Sequence, residues 1–206
     1  MAVLPTLEFE KKYWSKECNY ICGIDEVGRG SWAGPLVVAG VILPKNFIIP
    51  EGLADSKLVK PSLRVKLSEI IRKLAIGFEI AQVESIVIDK VGLAKATQIA
   101  FRKTARKIQP KPDFCLIDAF FISHYSKKNQ MAVKFGDKIC ASISAASIIA
   151  KVYRDNLMET LDKDFPEYGF ASHKGYGTKF HQEAIKKFGF SKIHRTSYKL
   201  NFLKNL

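Results

Sequence analysis

Apolar residues along this chain alternate between strand-like runs and helix-like spacings. Tyr20-Ile-Cys-Gly-Ile24 is an apolar run leading into Asp25, and Leu36 to Leu43 is a second, strongly β-type run; both are expected as buried strands. Gly28, Gly30 and Gly34-Pro35 mark a turn-rich stretch between them. From Ser62 to Leu74 the spacing becomes helical, with Leu63, Leu67, Ile70, Ile71 and Leu74 on one stripe. A third strand is predicted at Ile76 to Val83, where Ile76, Phe78 and Ile80 alternate with other residues. Val91 to Ile108 reads as one helix, and Phe114 to Ile117 as a short strand ending at Asp118. Ser142 to Leu161 is predicted as a helix whose Ala146, Ile149, Ala150, Tyr153, Leu157 and Leu161 share a face. Its Ser144, Ala145, Ala146 and Ser147 are small enough to let another backbone approach closely. A short helix within Met1 to Glu17 and a last one at Lys179 to Phe188, followed by a basic tail, complete the pattern. Adjacent strands that later alternate with helices predict an α/β domain with a mixed sheet.

Composition adds a partner class. The 206 residues suit one domain, and 33 Lys+Arg against 20 Asp+Glu give a formal net charge of +13. Such an excess favours polyanions, nucleic acid before anionic membrane, although charge alone does not separate a nucleic-acid binder from a basic soluble protein. The longest apolar run, Pro35 to Pro44, is far too short to span a bilayer, so no membrane is expected. With no signal peptide the expected setting is cytoplasmic, and the expected state monomeric. Cys18, Cys22, Cys115 and Cys140 make no zinc pattern; Cys115 and Cys140 read as core thiols, and disulfides are not expected.

The densest chemistry lies in Gly23-Ile-Asp-Glu-Val-Gly-Arg-Gly30. Two adjacent acids at the end of an apolar strand are expensive to desolvate without a compensating cation. Neighbours in a strand point to opposite faces, so a local bend permitted by Gly28, or the Glu26 backbone carbonyl, would have to bring both residues to one ion. The plainer reading is an exposed acidic turn; the basic surroundings and the tight glycine spacing argue against it. Gly23 to Gly28 has the spacing of a phosphate-binding loop, but Arg29 and Gly30 stand where that loop needs lysine and a hydroxyl. Two carboxylates would also repel a triphosphate.

Asp25-Glu26 is followed by Gly28-Arg29-Gly30, Ala33-Gly34-Pro35, Asp55-Ser56-Lys57, Leu116-Ile-Asp118, Ser144-Ala-Ala-Ser-Ile-Ile-Ala-Lys-Val-Tyr-Arg-Asp155 and His173-Lys-Gly-Tyr-Gly-Thr178. In this order, over about residues 20 to 197, the chain resembles ribonuclease HII. The resemblance implies a ribonuclease-H-like fold, a mixed central sheet flanked by helices, with residues from about 160 to 206 as a helical substrate-binding extension of one catalytic domain. It implies two divalent ions, Mg²⁺ or Mn²⁺, on four carboxylates, of which Asp25, Glu26 and Asp118 match directly. The fourth falls in the stretch before the Ser144 helix and is assigned to Asp137; Asp155 competes, but is better placed for a structural ion pair. Gly28, Arg29 and Gly30 are implied to surround a ribose 2′-hydroxyl and Tyr176 to stack on the ribose, with Lys57, Ser147 and Lys151 holding phosphates. The implied reaction is hydrolysis of the RNA strand of RNA–DNA hybrids, and incision 5′ of single ribonucleotides in duplex DNA, leaving 5′-phosphate and 3′-hydroxyl ends. Ser31-Trp32 and Leu58-Val59 depart from the usual pattern without touching an implied ligand.

Three other readings compete. His124, His173, His181 and His194 would supply metal-free acid–base cleavage, but each reads as a lone hydrogen-bonding surface group. A non-catalytic binding module explains the charge but not four acids at strand and helix ends. Ribonuclease HIII shares the acids but carries an extra N-terminal substrate-binding domain, for which too few residues precede Asp25; Arg29 also favours type HII. Lys192, His194, Arg195 and Lys199 of the tail either track a nucleic-acid backbone or are an ordinary solvated end.

Overall fold

Every residue of Leu36–Ile42 is buried because this strand, β2, has a strand on either side and helices over both faces. A strand so placed reads as an unbroken apolar run. The computed structural model of the protein describes residues 4–200 and 202. In chain order it contains α1 (Glu8–Trp14), β1 (Ile21–Val27), β2, α2 (Pro61–Leu74), β3 (Gly77–Val83), α3 (Ser85–Val91) and α4 (Leu93–Lys107). There follow β4 (Phe114–Asp118), β5 (Gln130–Val133), α5 (Gly136–Ile139), α6 (Ala141–Asp164), α7 (Phe170–His173) and α8 (Lys179–Phe188). The sheet runs β3-β2-β1-β4-β5, antiparallel from β3 to β1 and parallel from β1 to β5. This is the mixed sheet flanked by helices that the pattern predicts.

One face of the sheet packs Val37, Ala39 and Val41 against α2 and α6; the other packs Ile24, Val38 and Ile117 against Ala100 and Phe101 of α4. Helix α6 comes closest. A Cβ added at Gly23 of β1 would lie 2.2 Å from the Ser142 carbonyl carbon and 2.4 Å from Ile143 N. The start of α6 is therefore seated on the backbone of β1, as its small residues allow. Buried Glu10 of α1 fixes that end, accepting from Ser142 N at 2.7 Å and Cys140 Sγ at 3.2 Å, a carboxylate at a helix N-terminus.

Several elements differ from the pattern-based reading. Gly92, at φ 80°, separates α3 from α4, so the stretch from Val91 to Ile108 is not one helix. Helix α2 buries Arg64, Leu67, Ser68 and Ile71, leaving Leu63, Ile70 and Leu74 exposed. Arg64 takes the inner position by donating to the Ser56 and Val59 carbonyls. In β3 the buried residues are Ala81 and Val83, while Ile76 and Phe78 are exposed, because β3 is an edge strand covered mainly on its α4 side. The short β5 and α5 have no periodic signature. The N-terminal helix occupies only Glu8–Trp14 of the span predicted from Met1 to Glu17, whose first three residues lie outside the described ones. Among the described residues no helix is long and apolar enough to cross a membrane, and all four cysteines are free.

Residues 32–33 and 158–200 share a further apolar cluster of Ala33, Met158, Tyr168, Phe170, Ala184, Ile185 and Leu200. It ties the C-terminal helices to the turn after β1.

The seating of α6 on β1 predicts that Gly23→Ala lowers stability by about 1–3 kcal/mol or more, as overpacking does, since the clash is with backbone. Denaturant midpoints measured for the two proteins would check this; equal midpoints would show that the helix yields freely.

Candidate active site

Parallel pairing of β1 with β4 sets Ile24 beside Ile117, so one residue further Asp25 and Asp118 lie side by side at the carboxyl ends of two neighbouring strands. Alternation decides where they face. Gly23 abuts α6 and Leu116 packs with Ile143 of α6, so Asp25 and Asp118 continue those rows toward α6. Ile24 and Ile117 face α4, and Glu26 follows them. Strand β1 runs unbroken through Val27, paired with Val37, and turns only at Gly28, φ 90°. The bend that would bring Asp25 and Glu26 to one side is therefore absent, and the two acids straddle the strand end.

Their surroundings make these carboxylates reluctant to ionise. Asp25 is 6% exposed; burial, then Glu26 and Asp118, push its pKa well above the usual range, although its Oδ1 accepts from Glu26 N at 2.7 Å. Burial raises Glu26 to about 7, against the pull of Arg29, whose Nε lies 3.7 Å from Oε1. Asp118 is raised by burial even though its Oδ1 accepts from Gly136 N at 2.7 Å. That bond caps α5, whose first turn carries Asp137, raised by burial and then by Asp118 and Asp55. Asp137 thus joins the acid group through the residue that anchors its helix. Asp155 stands apart, paired with Arg64 at 3.2 Å and Lys151 at 2.7 Å.

A cleft of about 400 Å³ opens over two of these acids, lined by Asp25, Glu26, Val27, Gly28, Arg29, Gly30, Ser56, Lys57, Ser147, Lys151 and Tyr176; Asp118 and Asp137 are not among its lining residues. All seven residues proposed from sequence as substrate contacts line it. Lys57 faces the acids: burial pulls its pKa down, but Asp55, Asp137 and Asp25 outweigh that and raise it. Ser147 donates to Ser56 Oγ at 2.9 Å, so this hydroxyl pair floors the cleft.

Two buried arginines shape the rim: Arg154, which no sequence feature singled out, and Arg195, which the sequence offered only as part of a basic tail. Arg154 donates to the carbonyls of Pro35 at 2.9 Å, Ala33 at 3.1 Å and Lys174 at 2.9 Å. A Cβ at Gly28 would sit 2.3 Å from its Nε, so glycine is required there for space as well as for backbone angle. Arg195 donates to the Gly34 and Arg29 carbonyls at 2.8–3.0 Å, and Tyr198 Oη donates to Arg29 O at 2.8 Å. Trp32 fills the seam, its N–H donating to Gly175 O at 2.8 Å and its ring against Gly177. Arg154 lies inside a motif run, but helical spacing does not reveal that a charged side chain points inward. Asp55 and Ser56 were also passed over; Asp55 accepts from Lys57 N at 3.0 Å and so shapes the turn that presents Lys57.

The expected surface placement of the histidines holds for His124 and fails for two of the others. His181 and His194 are buried, not surface groups, and none of the four histidines lines the cleft. The tail reading changes too, because His194 and Arg195 are internal, leaving Lys192 and Lys199 exposed.

These residues suit a divalent cation. Glu26 Oε2 is buried without a hydrogen-bond partner, the neighbouring carboxyls are held above their usual pKa, and all the donors are hard oxygens. Among the described residues no three acidic, histidine or cysteine side chains already surround one point.

Burial, and then charge repulsion, sets two expectations for the site. A carboxyl raised from 4.5 to about 7 keeps its proton in the fold where the unfolded chain has lost it. Glu26 therefore makes the metal-free protein less stable as pH rises from about 4.5 to 7, and a divalent cation should raise the thermal midpoint more above that window than below it. For the same reason Asp25→Asn should raise the metal-free midpoint at pH 8. Thermal unfolding with and without Mg²⁺ or Mn²⁺ checks both, and an unchanged or lower midpoint for Asp25→Asn would contradict the repulsion.

Comparison with known proteins agrees with this geometry. The family model described as ribonuclease HII matches residues 22–201. The ribonuclease HII of Chloroherpeton thalassium is 49% identical over 95% of this chain and 97% of its own length. Among solved structures, the ribonuclease H2 of Pyrococcus horikoshii OT3 is similar at a TM-score of 0.72 and 26% identity, covering 87% of this chain and 94% of that one. The ribonuclease HII of Archaeoglobus fulgidus, solved in a complex with PCNA, gives 0.73 and 26% over 88% and 96%. A carboxylate rim at parallel strand ends, beneath a glycine-arginine-glycine turn, thus sits in a fold and sequence shared along nearly the whole chain: the protein belongs to the ribonuclease HII family.

Proposed function

We propose that this protein holds two divalent cations, Mg²⁺ or Mn²⁺, on Asp25, Glu26, Asp118 and Asp137, and uses them at the junction where a ribonucleotide meets DNA. Ribonuclease HII activity follows from the family: the chain is an endonuclease that cuts RNA within RNA–DNA duplexes, and its family depends on divalent metal. The observation that carries the finer reading is the convergence of seven predicted substrate residues with Asp25 and Glu26 in one cleft.

When bound, the cations neutralise the scissile phosphate and supply an activated water. The chain's own residues do the rest. Gly28 and Gly30 bring backbone close to the ribose, where a 2′-hydroxyl can be read, and Arg154 and Arg195 hold that turn from behind. Tyr176 supplies an apolar face for the sugar across from Gly30, with its ring carbon 4.0 Å from a Cβ built there. Lys57 and Lys151 offer charge to the flanking phosphates. Lys151 is shared with Asp155, which aims the ammonium; the competing fourth acid thus acts as its ion-pair partner. Water attack on phosphorus leaves a 5′-phosphate and a 3′-hydroxyl. All proposed residues come from one chain, so a monomer suffices.

Cleavage of an RNA–DNA hybrid should require divalent metal and stop with EDTA; full activity in the chelator would sink the two-metal reading. Asp25→Asn should abolish cutting while leaving hybrid binding within a few-fold, and an equal loss of binding would make the acid structural. Duplex DNA carrying one ribonucleotide should be incised 5′ of it, and a protein that cut only long hybrids would contradict the junction role given to the glycine turn and Tyr176.

A further inference from the structure

Beneath Tyr176 lies a chain of buried polar groups that the proposed chemistry leaves unused. His181 Nδ1 lies 3.0 Å from the Tyr176 carbonyl oxygen, which can only accept, so Nδ1 carries the hydrogen. His181 Nε2 lies 3.0 Å from His194 Nε2. His194 Nδ1 accepts from Ser191 N at 2.8 Å, a backbone group that can only donate, and lies 2.7 Å from Ser191 Oγ, whose rotatable hydrogen can turn toward the same lone pair. One arrangement satisfies every atom: Ser191 N–H to His194 Nδ1, His194 Nε2–H to His181 Nε2, and His181 Nδ1–H to the Tyr176 carbonyl. Both rings are then neutral, and burial keeps them so by pushing each pKa down to about 4. An added proton would set two N–H groups against each other.

The relay joins three neighbouring segments within residues 176–194. It begins in the 191–194 turn, passes through the first turn of α8, and ends on the segment carrying Tyr176. His173 holds that segment's other end: its carbonyl accepts from Tyr176 N at 2.9 Å, its Nδ1 accepts from Gly175 N at 3.2 Å, and its ring stacks on His181 at 4.5 Å. Phe170 meets His181 edge-on at 5.5 Å, so the ring cannot turn without disturbing the cluster. Tyr176 is also the one aromatic side chain lining the cleft. A backbone pinned at both N–H and carbonyl leaves its ring little freedom over Gly30.

We infer that His181 and His194 are positioning residues: their relay fixes the Tyr176 backbone and thereby the seat of its ring against the junction ribose. This rests on the reading of Tyr176 as the ribose contact. Substrate would still bind through its phosphates without the relay, so the loss should fall on kcat rather than KM.

The test uses His181→Phe, which keeps an aromatic ring but no hydrogen bond, and His181→Asn, which keeps a donor where Nδ1 stood. Each is made alone and with Tyr176→Ala, and assayed on duplex DNA carrying one ribonucleotide. His181→Phe should lower kcat by between about ten- and a hundredfold, the scale of a small misplacement, with KM little changed. His181→Asn should return most of that loss, and in the Tyr176→Ala background His181→Phe should cost nothing further. A damaged Tyr176→Ala beside a fully active His181→Phe would overturn the inference alone, as would losses that multiply independently. An undamaged Tyr176→Ala would overturn the ribose reading and this inference with it. Nitrogen shifts of the wild-type imidazoles give a check that needs no variant: Nδ1–H on His181 and Nε2–H on His194 are expected, and the opposite tautomers would break the relay.

Discussion

Carboxylates crowded at the ends of two parallel strands repel one another, and much of the surrounding structure serves to keep them there. Strand pairing sets Asp25 beside Asp118 with no choice of separation, because parallel neighbours are spaced by their backbone hydrogen bonds. Burial then deepens the repulsion by removing water. Asp118 spends one oxygen on the first amide of α5 and so brings Asp137 into the same group. Lys57, held by the Asp55 turn, adds positive charge facing the acids. A fold that tolerates this arrangement keeps a strong and local demand for a multivalent cation.

The positive side of the site is built on different terms. Arg154 and Arg195 are buried, yet both spend their hydrogen bonds mainly on backbone carbonyls instead of carboxylates. Burying a guanidinium costs free energy that partial charges on carbonyls recover only in part, and burial lowers the pKa of Arg154 to about 10. The gain is separation of roles. Had either arginine paired with Asp25 or Asp118, it would have competed with a metal cation for that carboxylate. Bonded to carbonyls, the two cations fasten residues 29–35 to residue 174 and leave Arg29 and Lys57 as the charges that face the acids. The C-terminal cluster of Tyr168, Phe170, Ile185 and their neighbours supports this fastening from outside the sheet.

Legibility in the sequence followed burial on two sides. The runs at β1, β2 and β4 and the small-residue start of α6 were readable because both faces of a central strand are apolar, and a helix seated on it needs small side chains. Where burial is one-sided the pattern misled. The apolar stripe of α2 is half exposed, since the helix rests on Arg64 and Ser68 as much as on Leu67 and Ile71. The apolar alternation of β3 lies on the wrong parity because an edge strand is covered unevenly. Likewise His181 and His194 looked like surface groups, because nothing in their spacing shows that each supplies the partner the other needs.

By itself the sequence determined the mixed α/β class, the apolar runs that lead into Asp25 and Asp118, and the glycine turn after Glu26; the reading of these acids as ligands came from the family resemblance. The runs and the turn are local facts: an apolar run that ends on a carboxylate, or a turn that only glycine can make, is written in neighbouring residues. Tertiary structure supplied Arg64 and Lys151 as the partners of Asp155, whose ion-pair role the sequence reading expected, and it alone decided that two arginines and two histidines from the second half of the chain hold the rim. Those outcomes rest on strand register, on the direction a helix presents each residue, and on hydrogen-bond partners supplied from up to 169 positions away. Such partners are chosen by packing, and packing exists only in the folded chain.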